Sequence, residues 1–269
     1  MSANIYKFEL HMRLRSVVIW SLAVAAVSLI YLSLYPSLAQ EAKLMDEAIT
    51  RFPPEFLEAF GMSNLNLATV LGFYNFVFLF VQVLLAIQAS TYGFGLVSVD
   101  EAEFTADFLL TRPVTRARIL TSKLLAAFTA LTITNLAVWI SSLLALSLFD
   151  AGLGYDRHTV FLLLGGIAIF QLFFLTVGLL ISLLVKRVRS VTPYAMGLAF
   201  GMYLLSVFSG VAEDVKLEFI TPFKHFDPAS IIQNGAYDIP LVMISIAVIL
   251  ISLTGGYWRY LHRDIPAVA

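Results

Sequence analysis

The chain of 269 residues contains no cysteine, which excludes a disulfide framework and a thiolate metal site. Charge is scarce as well: 13 % of residues are Asp, Glu, Lys or Arg, where an average soluble domain has about 25 %. With 59 % hydrophobic residues, this is the composition of a membrane protein. The net charge of −1 gives no basic footprint, so no nucleic-acid partner is expected. No Gly-x-x-x-x-Gly-Lys-Ser/Thr sequence occurs, so the chain has no P-loop with which to hold ATP. Neither His-Glu-x-x-His nor another clustered ligand set is present, and no metal or cofactor is expected in this chain.

What is present is apolar and long. Six stretches lack Asp, Glu, Lys, Arg and His: 16–40, 59–99, 124–149, 159–185, 190–212 and 239–258. A helix needs roughly 20 apolar residues to cross the hydrocarbon core, and every stretch is long enough. The second begins with the polar Gly61-Met-Ser-Asn-Leu-Asn, so it reads as a loop followed by one long helix. Backbone polar groups in lipid must be satisfied internally, and no alternating barrel pattern is visible, so the spans are helical. The fold class is an all-α polytopic membrane protein of one domain, 1–269. Spans are expected at about 16–38, 68–97, 124–149, 159–185, 190–211 and 240–259. The first is too long for the apolar core of a cleaved signal peptide, and Tyr35-Pro36 follows it rather than a small-residue cleavage site.

Basic residues set the orientation. With the N-terminus in the cytosol, 12 of the 17 Lys and Arg fall inside and 5 outside, while the acids split 6 to 12. The positive-inside rule selects this arrangement, with both termini cytosolic. Residues 1–15 place Ile5, Phe8 and Met12 at helical spacing beside Lys7, Arg13 and Arg15, which fits an amphipathic helix on the inner leaflet or the positive flank of the first span.

Two stretches interrupt the apolar pattern. The first, 98–123, reads as a cytosolic elbow. It carries Glu101, Glu103 and Asp107 beside Phe108, Leu109 and Leu110, then turns at Pro113, with Thr115 placed to cap a helix from Arg116 onward. The acids can pair with basic groups on a cytosolic partner, and the apolar side chains can fill a cleft in it. The second, 212–239, is too irregular to span and too greasy for a free loop: it holds Pro222, Phe223, Phe226, Asp227 and Pro228. It reads as short helices at the outer membrane face, either an external lid or an interfacial packing element.

The spans hold no carboxylate, Lys, Arg or His, the groups that relay protons or ions in coupled carriers. Their polar residues Asn75, Gln82, Gln88, Asn135 and Gln171 suit helix-to-helix hydrogen bonds or, less readily, substrate contacts. Asp150, Asp156 and His158 are the nearest approach to an acid/base cluster and read as a solvated outer loop. An ion-coupled secondary transporter and a membrane enzyme acting on lipids are the alternatives these features weigh against. The chain reads as a bundle without an engine, with a charged elbow for a separate one.

The elbow resembles the signature segment of the type-2 ATP-binding-cassette exporter permeases. The matching residues are Glu101, Thr105, Phe108, Leu109, Leu110, Pro113, Val114, Thr115, Arg116, Ile119, Leu120 and Lys123, with Phe104 where glycine is common. Thr221-Pro222-Phe223, Phe226-Asp227-Pro228 and the terminal Tyr260 to Ile265 extend the resemblance. Within that family the chain looks most like the small permeases of bacterial peptide-toxin and bacitracin-type exporters. The resemblance implies a multi-pass protein of the bacterial cytoplasmic membrane, paired with a second permease copy or paralogue and with two copies of an ABC ATPase that bind ATP and Mg. It implies a coupling helix within Glu101, Glu103, Thr105, Asp107, Phe108, Leu109, Leu110, Pro113 and Arg116, and re-entrant helices before the last span.

Overall fold

The computed structural model describes residues 2–41, 52–53, 57, 69–102, 114–185, 188–211 and 216–262. Among them all regular structure is helical. Six helices are long and apolar enough to cross a membrane. They are α1 (Ala3–Ser33), continued after Leu34 by the short α2 (Tyr35–Gln40), then α3 (Val70–Ala102), α4 (Arg116–Phe149), α5 (Arg157–Leu184), α6 (Val191–Val211) and, after two short helices, α9 (Ile239–His262). Between α6 and α9 come a 3-10 turn at Leu217–Phe219, α7 (Pro222–His225) and α8 (Pro228–Asn234).

The helices start where the side chains can satisfy their first amides. Thr115 Oγ1 accepts from Arg118 N at the start of α4, as the sequence predicts. Asp156 caps α5 by accepting from the amides of His158 and Thr159. At the other end of α8, Gly235 takes the left-handed conformation (φ 61°) and its amide bonds back to Ile231 O.

Residues 3–15 form no helix of their own. They are the opening turns of α1, which runs unbroken to Ser33, so the boundary expected near residue 16 is not a break. The reason is a partner: α1 lies alongside α4, with Ser2 N donating to Ser122 Oγ (2.8 Å) and Tyr6 Oη hydrogen-bonded to Thr129 Oγ1 (3.0 Å). At 34 residues, α4 is about 50 Å long against a hydrocarbon core of about 30 Å, so its first turns extend past the core and α1 follows them.

The centre of the bundle is α3 against α5. Small residues allow the close approach: a β-carbon at Gly93 would collide with the Leu175 carbonyl, and one at Gly178 would lie 3.3 Å from Ser90 O. Two buried apolar clusters are stacked along this pair. One joins Tyr92, Leu96, Phe170, Phe174 and Leu179; the other joins Tyr35, Tyr74, Phe78, Leu146 and Leu163.

Candidate functional site

Most of the expected coupling element, Glu103, Thr105, Asp107, Phe108, Leu109, Leu110 and Pro113, lies outside the described residues. Its flanks are defined. Glu101 belongs to the last turn of α3, and Arg116 is the first residue of α4.

The turns of α4 that follow the elbow are bound to two other helices. Lys123, 2 % exposed, pairs with Glu9 of α1, which also holds Arg13 at 3.0 Å. The Arg13 guanidinium lies 5.4 Å from the centre of the Tyr92 ring, an arrangement in which the ring face attracts the cation. Thr121 Oγ1 and Tyr257 Oη are 2.8 Å apart and join α4 to α9. The start of α4 is therefore tied to both α1 and α9.

The second interruption is inserted among the helices instead of lying across their outer ends. Phe223 and Phe226 are 4 % and 2 % exposed, and Pro222, His225 and Pro228 are buried. Phe223 packs edge-on against Phe170, Phe174 and Tyr203. Gln82 Nε2, a little under halfway along α3, donates to Phe226 O at 2.8 Å. Thr221 Oγ1 donates to Met202 O at 2.7 Å, and His225 Nδ1 shares a 2.6 Å hydrogen bond with Ser245 Oγ. Tyr237 Oη donates to Leu162 O. Asp227 accepts from Ala229 N and caps α8. The segment is thus covered by the neighbouring helices on several sides, an arrangement of the kind meant by re-entrant helices before the last span. Irregular backbone is tolerated at such depth when protein covers it and its polar groups find partners, and these contacts supply both.

The mid-span polar residues form a chain of neutral groups. Gln88 Nε2 donates to Thr134 Oγ1 (2.9 Å), Gln171 Nε2 donates to Gln88 Oε1 (3.3 Å), and Tyr92 Oη donates to Ser16 Oγ (3.1 Å). Gln88 and Gln171 stand out in the sequence, but Thr134, Tyr92 and Ser16 do not, and none of these pairs is local. No group of three His, Asp or Glu able to hold a metal occurs among the described residues.

The acids between α4 and α5 are occupied locally. Asp150 Oδ1 accepts from Gly152 N at 3.0 Å. Asp156 takes a hydrogen bond from the Thr159 hydroxyl (2.6 Å) and from the Thr159 and His158 amides, and these bonds hold its carboxyl below the usual carboxylate range. A carboxylate kept ionised by helix capping is a poor general acid.

A family model described as ABC-2 family transporter protein matches residues 3–265. The chain belongs to that family. It is the membrane permease component of an ABC transporter, a multi-pass protein with no ATPase domain of its own, and permeases of this family pair with ABC ATPase subunits. No curated protein matches it.

Proposed function

We propose that this permease serves an ATP-driven exporter of the bacterial cytoplasmic membrane, moving an amphipathic or hydrophobic molecule such as a peptide, an antibiotic or a lipid-like compound out of the cell. A likeness to peptide-toxin and bacitracin-type permeases favours the first two. The observation that carries the reading is the distribution of charge: the Glu9–Arg13 and Glu9–Lys123 ion pairs lie at one end of the bundle, beside the elbow, while α3, α4 and α5 are linked to one another by the neutral groups of Gln88, Thr134 and Gln171. Ion-coupled carriers usually place an ionisable relay within their spans, and the buried His225 belongs to the short α7 rather than to a span.

In this reading, Glu101–Arg118 docks in a cleft of the ATPase, and the anchored turns of α4 pass its tilt to α1 and α9 as a rigid-body motion. ATP and Mg belong to the two ATPase subunits. A second permease copy or paralogue completes the pathway; the apolar windows of α6 and α9 are only 11 % and 17 % buried within the chain, which leaves wide faces for it and for lipid. The segment 216–237 acts as the outer gate.

Co-purification tests the reading. The ATPase encoded beside this chain is expected to come down with it, and ATP hydrolysis is expected from the complex and not from the chain alone. Robust hydrolysis by the isolated chain overturns it. The cysteine-free sequence also allows a clean test of orientation: single cysteines at Ser2, Ala48, Thr111, Gly154, Ser190, Gln233 and Ala267 are expected to label from outside only at 48, 154 and 233. External labelling at 111 reverses the scheme.

A further inference from the structure

A pocket of about 270 Å³ opens on the side of the bundle between α4 and α5. Its walls are Phe128, Leu136 and Trp139 from α4 with Leu164 and Leu172 from α5. Two amides interrupt them. Gln171, midway along α5 and 1 % exposed, turns its Nε2 inward to Gln88, and its Oε1 has no hydrogen-bond partner. Asn135, near the middle of α4, likewise has its Oδ1 buried and without a partner. Trp139 contributes an apolar surface only, because its Nε1 already donates to Leu164 O at 3.2 Å.

Two acceptors left bare at mid-depth cost free energy on both sides of the pocket, since hydrocarbon offers no hydrogen to replace the water they lost. Both oxygens are closed off as they stand, so a ligand that brings donors recovers that cost once the amides rotate toward the pocket. Its remaining surface must be apolar to match the walls. Ligand pockets usually measure about 300–1,000 Å³, so this one suits one apolar group with its polar end rather than a whole large molecule.

We propose that the α4–α5 pocket is a binding site for a membrane-dissolved amphiphile that carries a hydroxyl or N–H donor, with Gln171 Oε1 and Asn135 Oδ1 as its acceptors. The exporter reading enters only in the further step that such an amphiphile is the transported class. Binding is measured without the ATPase, so failure here and failure of the exporter reading are told apart.

The test uses the full chain in phospholipid vesicles with Trp20→Phe and Trp258→Phe, which leaves Trp139 as the one indole. The probes are a bromoalkanol of medium chain length and its methyl ether, which has the same quenching atom and no donor. The alcohol is expected to quench Trp139 saturably, and the ether at a midpoint at least about fivefold higher, the worth of about one hydrogen bond. Asn135→Leu and Gln171→Leu together are expected to raise the alcohol's midpoint by about fivefold, each alone by about twofold because one acceptor remains for the single O–H, and all to leave the ether's unchanged. Asn135 is half-buried, so its variant reports even where loss of the Gln88 bond unfolds the other. Ala168→Phe, at an exposed position on the rim, is expected to abolish saturation by filling the space. Equal quenching by alcohol and ether, or quenching that rises linearly in every variant, overturns the proposal.

Discussion

The stretches 101–118 and 216–237 read alike. Each lies between long apolar helices, each carries acids, and each sets proline beside aromatic or leucine side chains. They part in what covers the apolar side chains. In the outer stretch, Phe223 and Phe226 are enclosed by residues of α3, α5, α6 and α9, and Gln82, Met202 and Ser245 bond to it from three different helices. In the inner stretch, the bundle fixes the flanks: α3 leads in, and Thr121, Ser122 and Lys123 of α4 bond to α9 and α1. An apolar cluster outside a span must be covered by something. The same chain covers the outer one, and the proposal above assigns the inner one to a partner. Lesions in the two stretches should therefore separate stability from association.

The largest effect on stability is expected at Phe223. Replacement by Ala opens a cavity beside Phe170, Phe174 and Tyr203, and such truncations of buried Phe cost about 3–5 kcal/mol. Thermal melting of the purified chain in lipid vesicles measures it. Ile220→Ala, three residues away and half exposed, should stay within about 0.5 kcal/mol of the parent. Equal losses at the two sites contradict the inserted position of the segment.

A smaller effect is expected at Gln82→Leu, which keeps the volume but strands the Phe226 carbonyl. A buried acceptor without its donor costs about 1–3 kcal/mol. If the segment gates the exit, the released contact should also raise ATP hydrolysis uncoupled from export. Unchanged coupling with the expected drop in melting temperature leaves the segment a packing element and removes the gate.

The contrast between the stretches also marks what the sequence could disclose. All six long helices were legible because uncharged runs of sufficient length have few other uses. The start of α4 at Arg116 was legible from Thr115, but the unbroken course of α1 from Ala3 to Ser33 was not: Glu9 pairs with both Arg13 and Lys123 between the two helices, and a helix extending past the hydrocarbon is not ended by charge. The outer stretch was visibly apolar and irregular. Its partners were hidden, because they are Gln82, 144 residues from Phe226 in sequence, and aromatic residues of other helices. The same holds for Asn135 and Gln171: composition shows two amides in spans, and only the packing shows that both lie on one pocket with an acceptor unused.

The smallest effect on stability, and the sharpest on function, is expected in the inner stretch. Glu103→Lys with Asp107→Lys reverses two charges of the proposed dock, and removing one partner of a partly buried pair leaves the other uncompensated. Leu109→Asp goes further, because it drives a carboxylate into the proposed apolar cleft. All three positions lie outside the uncharged runs, so the variants should insert and melt within about 0.5 kcal/mol of the parent. Their ATPase should be lost on co-purification, more completely for Leu109→Asp than for the double reversal. Melting is the control that gives the result its meaning. Loss of both stability and partner would show that the elbow's leucines, like Phe223 and Phe226, are buried in the chain itself. Retention of the ATPase by Leu109→Asp would move the dock elsewhere and leave the family assignment intact.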